Sequence, residues 1–177
     1  MRSPVRSTSL VVATAWGVTL MACARPAPAP SAAAAATTTP AKPPAVEAFV
    51  PGLGEFMALQ QMRHTKLWFA GQAKNWPLAA YEIEELAEGF GDVIKWHPTH
   101  KDAPIAVKDA IPIMMNAPLD DLRQAVTKQD ATAFAAAYDT LTTNCNNCHE
   151  ATNVGFTRIQ RPAANPYANQ AFDPVKK

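Results

Sequence analysis

Residues 130–149 read DATAFAAAYDTLTTNCNNCH, a capped helical pattern that ends in two cysteines and a histidine. Asp130 is a favoured N-cap, because its carboxylate can accept the unpaired N–H groups of a first helical turn. The alanines that follow are the strongest helix formers. Phe134, Tyr138, Leu141, Cys145 and Cys148 recur at spacings of four and three, so they share one helical face. His149 stands four residues after Cys145 and joins that face. A helix with one rich face needs partners to cover it.

The neighbouring sequence supplies those partners. A helix is predicted from about 54 to 74. Leu53, Phe56, Met57, Gln60, His64, Leu67 and Gly71 fall on one strip, and Leu59, Met62 and Phe69 on a second. A second helix is predicted from 76 to 96, capped by Asn75 with Pro77 in its first turn. Leu78, Tyr81, Ile83, Leu86, Phe90 and Val93 form its expected core face. Glu82, Glu84, Glu85, Glu88 and Asp92 are expected largely opposite. Gly89 and Gly91 are weak helix formers that mark a close approach or a bend. Trp68, Trp76 and Trp96 read as core or interface aromatics. His97 and His100 fall in a polar loop and are expected at the surface. Segments 103–116 and 119–128 read as a third helix broken by Pro112 and Pro118. No stretch alternates with the period of a strand. The expectation is an all-α fold, a four-helix bundle, followed by an extended tail from Asn153 draped on it.

The N-terminal part has a different character. Arg2 and Arg6 precede an apolar run from Leu10 to Ala22, too short for a membrane span but suited to a secretory signal. Leu20-Met21-Ala22-Cys23 resembles a bacterial lipobox, which implies lipidation of Cys23. The alternative is simple cleavage nearby and a free periplasmic protein. Residues 23–46 are Ala-, Pro- and Thr-rich and have nothing to bury, so they read as a flexible tether. The division is therefore 1–22 signal peptide, 23–46 tether and 47–177 folded domain. The chain of 177 residues has 16 basic and 15 acidic side chains, no electrostatic footprint for nucleic acid.

Cys145-Asn146-Asn147-Cys148-His149 is a C-x-x-C-H motif, the attachment pattern of a c-type haem. Two thioethers would come from Cys145 and Cys148, and one axial iron ligand from His149. Three other readings compete. A thiol oxidoreductase would carry the pair at a helix N-terminus after a strand, where its pKa falls. A zinc site would need a fourth ligand, and the chain has three cysteines in all. A disulfide between positions three apart on a helix is geometrically poor. A single covalent haem c is the expected cofactor.

With an export signal, four helices and C-x-x-C-H late in the last helix, the chain resembles the class II cytochromes c, the cytochrome c prime family. The resemblance implies a four-helix bundle with haem in its core, attached near the end of the last helix. It also implies that the residue facing the iron's other side comes from the first helix. This chain differs from that family in its long tail after His149, and in carrying Asn153 where a basic residue often stands.

His64 is the first candidate for a sixth ligand, with Met57 and Met62 as alternatives. Arg158 and Arg161 are candidates to pair with haem propionates. A ligated iron suits single-electron transfer in the periplasm or at its membrane surface. An open iron would instead bind or scavenge NO, CO or O₂. Nothing resembles an acid–base or nucleophile set, so an electron carrier rather than an enzyme is expected. The implied partners are a redox protein, which the acidic strip could steer, and a membrane through the lipid anchor. Such bundles also pair as homodimers.

Overall fold

The computed structural model describes residues 49–176. The expected signal and tether, and with them Cys23, lie outside the described residues. The described chain is all-helical: α1 Leu53–Gln72, α2 Trp76–Trp96, α3 Val107–Thr127 and α4 Ala131–Ala151, with no strand among these residues. Short connections fold consecutive helices back on one another, giving a four-helix bundle. α1 packs on α2, α2 on α3 and α3 on α4, whereas α1 and α4 touch sparingly. No described helix is long and apolar enough to cross a membrane.

Two of the connections use one residue for two jobs. The Asn75 N–H donates to the Ala70 carbonyl at 2.9 Å and closes α1, while its side-chain oxygen accepts from the Leu78 N–H at the start of α2. Asp130 repeats the device: its N–H bonds the Ala125 carbonyl at 3.0 Å, and its carboxylate accepts from the Thr132 and Ala133 N–H groups. The residue before each, Lys74 or Gln129, takes the left-handed conformation that such a helix end requires.

α3 corrects the sequence reading. It is one continuous helix, beginning at Val107 rather than Ala103, with both prolines inside it. Proline removes one N–H and so frees the carbonyl four residues earlier. For Pro118 that carbonyl belongs to Met114, and Asn144 of α4 donates its side-chain N–H to it at 2.8 Å. The neighbouring helix thus repairs the break.

Two glycines permit close packing. A Cβ on Gly71 would sit 2.0 Å from the Phe134 ring, so α1 and α4 meet closely there. A Cβ on Gly89 would sit 2.2 Å from the Arg63 guanidinium, which crosses α2 with Gln60. Gly91, by contrast, has open space around it.

The core holds Leu67, Ile83, Leu86, Met115, Leu122 and Leu141 with an aromatic group of Trp68, Trp76, Phe134 and Tyr138. Tyr81 was expected in it but is 57% exposed, and so is Leu59 at 45%. Trp96 is also exposed, beneath Lys95. Conversely, Glu82 of the acidic strip is buried, and its carboxyl is raised by loss of solvent, with Lys66 as an opposing charge. Helical spacing assigns faces to within a residue or so; the width of the buried stripe is set by the neighbours.

The tail retraces the α1–α4 side of the bundle. Ile159 pairs with Asn146, the Arg161 guanidinium lies 4.2 Å from the centre of the Trp68 ring, and Lys66 lies over Tyr167. Phe172 ends the path, buried against Phe69, with its carbonyl bonded by the Asn75 side chain at 3.0 Å.

Replacing Asn144 by Ala leaves the Met114 carbonyl without its partner. Denaturant unfolding should show a loss of about 1 kcal/mol. An unchanged midpoint would show that Asn144 does not repair α3.

Candidate functional site

Because α1 and α4 meet closely only near Gly71 and Phe134, they leave space between the first half of α1 and the second half of α4. That space is a cavity of about 390 Å³, within the range of small-molecule and cofactor sites. Leu53, Met57 and His64 line it from α1, Leu86 and Phe90 from α2, and Val107, Ile111 and Met115 from α3. α4 contributes Leu141, Cys145, Cys148 and His149. Val154, Thr157 and Ile159 of the tail line one edge, and His100 of the α2–α3 loop another.

Cys145, Cys148 and His149 therefore reach one cavity from one wall. Burial pushes the Cys145 thiol up to about 12, and burial also raises Cys148. Both stay protonated at neutral pH, the reverse of the lowered pKa that a redox-active thiol pair needs. They are not joined in a disulfide. Among the described residues, no group of three or more His, Cys, Asp or Glu side chains is placed to hold a bare metal ion.

His149 is oriented by the tail. Its Nδ1 lies 2.6 Å from the Thr157 carbonyl, which can only accept. Nδ1 therefore carries a proton, so in the neutral ring Nε2 is the nitrogen with the lone pair.

His64 is engaged on both sides of its ring. Thr142 donates its hydroxyl proton to the Tyr138 carbonyl at 2.9 Å, and its oxygen lies 2.9 Å from His64 Nε2. Nδ1 lies 2.9 Å from the Tyr138 hydroxyl, which itself donates to the His64 backbone carbonyl at 2.9 Å. The three side chains form a hydrogen-bonded circuit between α1 and α4. The ring is 3% exposed, and loss of solvent pushes its pKa down to about 4.

The remaining candidates separate clearly. Met57 lines the cavity; Met62 is half-buried on another face of α1 and does not. Arg158 pairs with Glu150 at 3.1 Å, and Arg161 with Asp139 while stacking on Trp68. Two carboxylates of the acidic strip are also paired, Glu84 with Arg123 at 2.8 Å and Glu85 with Arg63 at 3.0 Å. Sequence reasoning placed both loop histidines at the surface. His97 does stay outside the cavity, donating to the Pro51 carbonyl at 2.8 Å, but half-buried His100 reaches the wall. The only hint in sequence was a histidine in the loop leading into α3. Thr157 gave no hint, because it acts through its backbone carbonyl.

His64 also has a consequence for stability. Its folded pKa lies below the ordinary 6.5, so the unfolded chain binds more protons between pH 6.5 and 4. Stability from the neutral ring is complete above about pH 6.5 and declines as pH falls to about 4, by at most about 3 kcal/mol. His64→Gln should flatten the stability profile between pH 6.5 and 5, measured by urea unfolding at each pH. Equal slopes in the two proteins would contradict this.

No family model matches the chain, and neither the curated proteins nor the solved structures contain a significant match to it.

Proposed function

We propose that this protein is a mono-haem c-type cytochrome that carries single electrons in the periplasm or at its membrane surface. The observation that carries the reading is the shared wall of Cys145, Cys148 and His149 on an apolar cavity. The donor set fits a haem: two unionised thiols in position for thioether formation, and an imidazole with a free Nε2. A haem supplies four iron ligands of its own, so no protein cluster of metal-binding side chains is needed. When bound, it would supply a one-electron iron couple.

The chain's residues would do the rest. Cys145 and Cys148 would fix the group covalently, and His149 would offer Nε2 as an iron ligand. Leu86, Phe90, Ile111 and Met115 exclude water from it. Met57 and His100, which also line the cavity, would be the candidates for a second protein ligand, whereas His64 would have to leave both Tyr138 and Thr142. The exported, lipid-anchored location, the redox partner and pairing with a second copy belong to this same reading, on the strength of the N-terminal pattern and the bundle resemblance.

The engagement of His64 favours a second reading as well. If neither Met57 nor His100 ligates, the apolar wall leaves the iron open to NO, CO or O₂, and the protein binds gas.

Absorption spectra of the protein matured in an export-competent, haem-attaching host distinguish the two. For the electron carrier, the reduced protein should show sharp low-spin α and β bands that CO leaves unchanged. Met57→Ala or His100→Ala, whichever removes the ligand, should convert it to high spin, while His64→Ala should not. A wild-type high-spin spectrum that shifts on adding CO would transfer the assignment to gas binding. Absence of covalent haem would sink both.

A further inference from the structure

The two residues between the motif cysteines differ sharply in their surroundings. Asn147 is exposed, with a single long contact of 3.5 Å to Asn144. Asn146 is half-buried and makes two hydrogen bonds to the backbone of one tail residue. Its Nδ2 donates to the Ile159 carbonyl at 2.9 Å, and its Oδ1 accepts from the Ile159 N–H at 2.8 Å. A carboxamide used in this way imitates a neighbouring peptide group and fixes both position and direction of the tail.

Ile159 is two residues beyond Thr157, whose carbonyl accepts from His149 Nδ1. The other side of Thr157 is closed by a turn: its N–H donates to the Val154 carbonyl at 2.9 Å, and the Val154 N–H donates to the His149 carbonyl at 2.8 Å. The tail therefore leaves α4, turns, presents one carbonyl to His149 and is caught again by Asn146. The other nearby tie, Arg158 with Glu150, is an exposed ion pair and holds weakly.

We propose that Asn146 is a positioning residue: it clamps the tail at Ile159 so that the Thr157 carbonyl orients His149 and strengthens its electron donation through Nε2. This rests on the haem reading above. A hydrogen bond from the distant nitrogen of a ligating imidazole sets its tautomer and ring orientation and raises its basicity. A more basic ligand favours the oxidised iron, so weakening the bond should raise the reduction potential.

The test uses the haem-loaded protein and three variants: Asn146→Ala, Asn146→Ser, whose side chain is too short to bridge both backbone groups, and Asn147→Ala as control. The readouts are the reduction potential and the NMR exchange rate of the His149 Nδ1 proton. Asn146→Ala and Asn146→Ser should both raise the potential and speed proton exchange, and Asn147→Ala should do neither. If Asn146→Ala does not mature, Asn146→Ser decides. Covalent haem in every protein with unchanged potential and exchange would overturn the clamp and leave the cytochrome reading standing. Lack of covalent haem in the unaltered protein would remove that reading, and the clamp's proposed electronic role with it.

Discussion

The close approach of α4 to α1 at Gly71 sets where the bundle is closed and where it opens. With no Cβ at that position, the Phe134 ring lies against the α1 backbone. Trp68 and Tyr138 pack beside it, and the Tyr138 hydroxyl reaches one helical turn further to His64. The α1–α4 seam is therefore closed at one end by aromatic packing and a hydrogen-bonded circuit. Beyond His64 the two helices leave space, and that space is the cavity. The same Tyr138–His64–Thr142 circuit that seals its floor keeps the histidine occupied, and burial keeps it neutral.

An open seam exposes apolar surface, and the tail covers it. Arg161 on Trp68, Tyr167 beneath Lys66 and Phe172 against Phe69 anchor successive points along the α1–α4 side. At its near end the tail also supplies Val154, Thr157 and Ile159 to the cavity. A segment with no regular hydrogen-bonding pattern thus becomes part of the core and of the site. It also closes the molecule mechanically, since Asn75 joins Phe172 to the same turn that links α1 and α2.

Local signals in the sequence were reliable wherever the cause was local. Asn75 and Asp130 announced helix starts because a cap depends on residues two or three positions away. The spacing of Phe134, Tyr138, Leu141 and Cys145 placed them on one face because helix geometry is intrinsic to the backbone. Pro112 and Pro118 misled for the complementary reason. A proline's local cost is certain, but Asn144 in another helix offsets part of it. Tyr81 and Glu82 exchanged their expected environments because the spacing gives a direction around the helix, while the neighbouring elements decide how much of the circumference is covered.

Four helices and a C-x-x-C-H motif whose chemical side chains share one helical face were legible from residue order alone. Those are consequences of backbone periodicity and residue type. The packing of the helices settled that this face opens on an apolar cavity, that Met57 and His100 border it and Met62 does not, and that His64 is held on both ring nitrogens. Tertiary contact alone decided that a tail carbonyl orients His149. Each of these is a contact between segments distant in sequence, set by where helices diverge and where a strap of irregular chain is pinned.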